Sequence, residues 1–174
     1  MGGGPKLLAI HQLSICYTDR ELFRETITHY CKMGYDKWSY DNPTFTGMFR
    51  GQPLKAKTLL AFNYQLFGGF EFEMMCNDGA EVTKNFSFTG RLPERGAKTF
   101  VSHCSMHVDD LDAQIARMQA DQGMNPVFVF ETSNHTNPAL AGHHHFREAT
   151  YDTFDEFGYD LKFIQRVPEG GGNG

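Results

Sequence analysis

The feature that most restricts what this chain can fold into is a concealed repetition. Gln12 and His103 stand 91 positions apart, as do Asp19 and Asp110, while Gly69 and Gly158, like Glu73 and Lys162, stand 89 apart. What repeats is the pattern around these anchors rather than the letters. Residues Leu7 to Tyr17 alternate, with Leu13, Ile15 and Tyr17 on one face and Gln12, Ser14 and Cys16 on the other, which predicts a strand. Asp19 then caps a predicted helix carrying Leu22, Phe23, Ile27, Tyr30 and Cys31 at helical spacing, and Gly34 ends it. Three further strands are expected at Tyr35 to Tyr40, Lys57 to Asn63 and Phe70 to Cys76, divided by turn residues at Asp41-Asn42-Pro43 and Gly68-Gly69. The second half follows the same plan. Phe100 to Val108 alternates, Asp110 caps a helix with Leu111, Ile115 and Met118, and Gly123 closes it. Val127 to Glu131, His145 to Asp152 and Tyr159 to Val167 complete that half, with a long polar loop, Thr132 to Gly142, before the middle strand. Two copies, each with its own helix, make a duplicated βαβββ unit and not a solenoid.

The unit boundaries predict a first βαβββ module over 7–90, a second over 91–168, and glycine-rich flexible tails at 1–6 and 169–174. A chain of 174 residues with 40% hydrophobic content can bury a substantial core in this form. Its formal charge of −5 is the reverse of what a phosphate backbone attracts, so nucleic acid is not an expected partner. No apolar run approaches a membrane span, and the opening Met1-Gly2-Gly3-Gly4-Pro5-Lys6 lacks the apolar stretch of a signal peptide, so a cytoplasmic protein with no membrane partner is expected. The four cysteines lie scattered without a C-x-x-C pair and read as reduced thiols.

Four segments carry a family resemblance: Gln12-Leu-Ser-Ile-Cys-Tyr-Thr-Asp19, Gly69-Phe-Glu-Phe-Glu73-Met-Met, His103-Cys-Ser-Met-His-Val-Asp-Asp110 and Gly158-Tyr-Asp-Leu-Lys162-Phe-Ile. In order, spacing and internal repetition they resemble the vicinal oxygen chelate superfamily of glyoxalase I, bleomycin-resistance proteins and extradiol dioxygenases. The Tyr151-Asp152-Thr153 segment with Gly158 looks like a glyoxalase-like branch of it. The resemblance spans roughly residues 7 to 167 and implies an α+β fold: two tandem βαβββ modules with curled mixed sheets around a shared cavity. It also implies a metal site on Gln12, Glu73, His103 and position 162. Gln, Glu and His together suit one divalent transition metal, Zn, Fe, Ni, Co or Mn. A homodimer is expected on the same grounds, because open curled sheets leave edges to cover.

Position 162 departs from the family pattern, where Glu is usual. An ammonium about 4 Å from another unit charge is repelled by roughly 4 kcal/mol at an effective dielectric near 20, and a divalent ion doubles that. Lys162 could point to solvent, lose its charge, or have a nearby acid such as Glu71 or Asp160 supply the missing ligand. It could also replace the metal outright, as a fixed cation beside Glu73 that stabilises an enolate or oxyanion. The lysine tilts the expectation to a metal-free pocket. Glu73, His103, Lys162 and His107 are then the candidate catalytic residues, with Arg147 and Tyr151 as candidate substrate-binding residues. His143, His144 and His145 form a short tract that suggests either a lid over the pocket or plain surface.

The favoured expectation is an isomerase, epimerase, cyclase or lyase that transfers a proton next to a carbonyl on a small oxygenated substrate. The 16 Phe and seven Tyr point to an aromatic one. A non-catalytic small-molecule binder of the drug-sequestering type is the alternative. An extradiol-type dioxygenase ranks third, since it needs two His and a carboxylate on iron, and the matching positions offer His103 and Glu73 with Gln12 in the first His place.

Overall fold

The computed structural model describes residues 7–67, 70–76, 97–133 and 144–168. Strand β1 (Leu7–Tyr17) leads through helix α1 (Arg20–Lys32) to β2 (Trp38–Asp41), a hairpin of β3 (Thr44–Phe49) and β4 (Gln52–Lys57), then β5 (Leu59–Phe67) and β6 (Phe70–Cys76). Strand β7 (Thr99–Val108), helix α2 (Leu111–Gln122), β8 (Phe128–Ser133), β9 (His144–Tyr151), the short helix α3 (Phe154–Phe157) and β10 (Asp160–Pro168) follow. Both long helices start as their sequences dictate. The Asp19 carboxylate accepts the Leu22 amide at 2.9 Å and Asp110 accepts that of Ala113 at 3.0 Å, each satisfying an amide the first turn leaves open.

The strands form one mixed, unclosed sheet in the order β2-β5-β6-β1-β7-β10-β9-β8-β3-β4. β1 and β7 run antiparallel at its centre, β6 joins β1 in parallel and β10 joins β7 in parallel. The order β1-β6-β5-β2 on one side of the seam is therefore matched by β7-β10-β9-β8 on the other. The expected division at 90/91 and the tails 1–6 and 169–174 lie outside the described residues.

The β3–β4 hairpin departs from the βαβββ expectation. It leaves the first half and pairs with β8 of the second, matching Thr46 to Glu131 and Phe49 to Phe128. Its two-residue turn has positive φ at both Arg50 (47°) and Gly51 (78°), as a type I′ turn requires. Proline is tolerated in β4 because that strand ends the sheet, so the missing amide of Pro53 interrupts no inner ladder.

Each helix covers the outer face of its half. Phe23 and Ile27 of α1 pack on Tyr17, Phe72 and Met74, and Leu111 of α2 joins Val108, Ala149, Tyr151 and Phe163. Each fully buried side chain of this kind contributes about 1.5–3 kcal/mol. On the inner face Leu60, Phe62, Met75, Phe128 and Phe130 form a third apolar cluster. No helix among the described residues is long and apolar enough to cross a membrane.

Candidate functional site

Strand registers bring the inner-face polar residues together. Gln12 is the pairing partner of Glu71 on one side and of Ser105 on the other, and Ser105 in turn faces Lys162. One pleat along, Ser14 stands between Glu73 and His103. Alternation with period two points all of them to the same face. The result is a buried polar cluster: Gln12, Glu71, Glu73, His103, Ser105, Glu148 and Lys162 are each at most 5% exposed.

Gln12 donates its amide Nε2 to Glu71 Oε1, and the Tyr64 hydroxyl donates to Glu71 Oε2. The other end of the same side chain, Gln12 Oε1, accepts the Ser105 hydroxyl at 2.9 Å and lies 2.9 Å from His103 Nε2. That imidazole nitrogen is the hub of the site. It stands 3.1 Å from Glu73 Oε2 and 3.4 Å from Lys162 Nζ, while Nδ1 meets the Ser102 hydroxyl at 3.1 Å. Lys162 is closed in by Glu148 Oε2 at 2.5 Å and by the ring of Phe130, whose centroid is 5.7 Å from Nζ. Arg166, stacked 5.1 Å from the Phe146 ring centre, approaches Glu71 at 3.9 Å.

These contacts set the protonation states. Burial alone would raise the Glu73 carboxyl, but His103 and the Lys162 ammonium outweigh it and hold the group below its ordinary value. Burial, then Lys162, lower His103 against the opposing pull of Glu73. An ionised Glu73 and a neutral His103 result.

The arrangement does not fit a divalent metal. Gln12 Oε1 already accepts two hydrogen bonds, His103 Nε2 faces acceptors and so carries a proton instead of a free lone pair, and a lysine ammonium stands 3.4 Å from it. Among the described residues no group of three or more His, Cys, Asp or Glu side chains is placed to hold an ion.

The structure thus brings together Gln12, Glu73, His103 and Lys162. The other candidates lie apart. His107 is four residues up β7 from His103, about 13 Å along an extended strand. Arg147 sits on the opposite face of β9 from Glu148, forking onto Asp112 at 2.8 and 2.9 Å and reaching Glu131 at 3.2 Å. Tyr151 is fully buried in the core beneath α2, edge-on to Phe163, and burial pushes its hydroxyl up to about 12. His145 pairs with Glu131 at 3.3 Å, whereas His143 lies outside the described residues.

Glu148, Ser105 and Tyr64 join the site without having been singled out in the sequence. Glu148 shares β9 parity with Phe146 and Thr150, and that parity was its one legible signal. The inner aromatics do converge on the cluster, and Phe62, Phe128 and Phe130 pack against one another. A pocket of about 260 Å³ lies on the other side of the sheet, beneath α2, between Met106, Gln114, Met118 and Phe163.

No protein-family model matches the chain, and no curated protein matches it in sequence. Solved structures do. Methylmalonyl-CoA epimerase from Mycobacterium tuberculosis is similar over 97% of this chain and 95% of its own, with a TM-score of 0.52 at 15% identity. A 4-hydroxymandelate synthase variant from Streptomyces coelicolor matches 97% of this chain and 50% of its own, with a TM-score of 0.53 at 16% identity. A hypothetical protein from Bacillus halodurans matches 94% and 98%, with a TM-score of 0.51 at 12% identity. All three have the vicinal oxygen chelate fold, and so does this chain.

Proposed function

We propose that the protein is a metal-free small-molecule enzyme of the isomerase or epimerase type, moving a proton on the carbon next to a carbonyl. The observation that carries this reading is the position of Lys162 Nζ, 3.4 Å from His103 Nε2, the same ring nitrogen that Glu73 Oε2 approaches at 3.1 Å. Two N–H donors at that separation are spaced to share one oxygen. In the proposed reaction the ionised Glu73 takes the proton from carbon, the C–H electron pair moves into the carbonyl, and the oxyanion so formed is held by Lys162 and His103. The resulting carboxylic acid returns a proton to the same carbon, on the face it left or, once the enolate turns within the site, on the other, so the step consumes nothing else.

Ser14 supports the same reading. Its hydroxyl is buried between Glu73 and His103 in the strand register and makes no hydrogen bond among the described residues, leaving a polar contact for a substrate. Acyl thioesters with a substituent beside the carbonyl are the first substrates to try, given the epimerase neighbour. Entry requires the cover of Phe128 and Phe130 to part. A cytoplasmic homodimer remains the expected form.

The packed inner face favours a second reading, a non-catalytic binder in which the buried charges are structural. The two separate in one experiment: untagged protein, stripped of metal with chelator, is incubated in D2O with 2-substituted acyl thioesters and 2-oxo acids. Deuterium entering the carbon next to the carbonyl, lost in Glu73→Gln, supports the enzyme. Saturable ligand binding with no exchange supports the binder.

A further inference from the structure

We propose that Glu71 is a positioning residue that fixes which ring nitrogen of His103 carries the proton, acting through Gln12. Glu71 touches none of the proposed reacting atoms. Its effect follows from what a carboxylate and an amide can each do. Glu71 Oε1 accepts from the amide, so Gln12 turns its NH2 end to Glu71. The carbonyl end is then forced to the opposite side, where it meets Ser105 and His103 Nε2, each at 2.9 Å. A carbonyl can only accept, so at 2.9 Å it favours a proton on Nε2 over a lone pair turned to the more distant Lys162 ammonium at 3.4 Å, and Nδ1 is left as the acceptor for the Ser102 hydroxyl.

The backbone makes this relay rigid. Gln12 pairs in register with Glu71 and with Ser105 across its two neighbouring strands, so the amide spans the gap between them without a choice of partner. Tyr64 closes the far end by donating to the second Glu71 oxygen. Glu73 Oε2 also lies 3.1 Å from Nε2 and, ionised, can likewise only accept, so both neighbours favour the proton on that nitrogen. The consequence deepens the proposed function, on which this last step rests: with Nε2 already protonated, His103 can only donate there, sharing its N–H between Gln12 and the oxyanion, and leaves the base role to Glu73.

The test reads the tautomer and not the reaction, so it stands or falls apart from the enzymatic proposal. Long-range 1H–15N spectra of the unliganded protein, with the His103 signals assigned by a His103→Gln variant, distinguish the two neutral tautomers. The wild type is expected to show the Nε2–H form alone. Glu71→Gln lets the neighbouring amide turn either way, and both tautomers should be populated, whereas Glu73→Gln should retain Nε2–H. A wild type in the Nδ1–H form overturns the proposal even if no variant folds. So does the reverse pattern, in which Glu73→Gln mixes the tautomers and Glu71→Gln leaves them pure, because the proton is then set by Glu73. If exchange activity is present, Glu71→Gln should lower kcat with KM little changed.

Discussion

At the scale of single residues, the site is governed by charges confined where water does not reach. Lys162 is 3% exposed and bears on Glu148 and His103 at once. Removing one partner of a buried ion pair leaves the other uncompensated, at a cost of about 3–5 kcal/mol. Lys162→Met, which keeps most of the volume, should lower stability by that amount in denaturant titrations, and adding Glu148→Gln should restore part of it. Strict additivity of the two changes in that double-mutant cycle would mean the pair is not coupled. Acid sensitivity follows from the same cluster. Glu73 and His103 both have folded values below their ordinary ones, so in acid the unfolded chain binds more protons than the folded chain. Stability should be fully present above the ordinary histidine value of 6.5 and decline as pH falls through that point and then through the carboxylate range. A melting temperature that rises from pH 7 to pH 5 would contradict it. Part of this was legible in the sequence: the offset of 89 equates Glu73 with Lys162, and the family resemblance, which implies Glu there, marked the lysine as anomalous. Glu148 was not legible, because one acid in an alternating strand reads as solvated until the strand is known to face a closed interior.

At the scale of elements, the β3–β4 hairpin is the piece that sequence patterns concealed. Gly47 and Pro53 weaken the strand signal on either side of its turn. Yet the glycine has a structural reason. A Cβ at Gly47 would come within 2.3 Å of the Val129 carbonyl oxygen and 2.7 Å of Phe130 Cβ, far inside contact distance. Gly47→Ala should therefore push β3 off β8, cost about 1–3 kcal/mol as overpacking does, and speed amide exchange in both strands. Unchanged protection there would show that the hairpin docks more loosely than the register indicates. The two helices present the opposite case. Their caps and closing glycines were readable in advance because the Asp19 and Asp110 side chains satisfy local amides independently of tertiary context.

At the scale of the whole molecule, the matched strand orders flanking the β1–β7 seam place residues far apart in sequence around one buried cluster. Among the described residues the edge strands β2 and β4 have one neighbour each, which is where a second copy would attach; a monomer by light scattering would remove the homodimer expectation. The central claim is that the Lys162 ammonium does here what a metal ion does elsewhere in chemistry of this kind. Lys162→Glu tests it most directly, through deuterium exchange next to a substrate carbonyl measured on chelator-treated protein with and without added Zn or Mn. The account predicts exchange by the metal-free wild type that added metal does not enhance, and none by metal-free Lys162→Glu, where carboxylates crowd together without a cation. A chelated wild type that is inert until metal is supplied would contradict it.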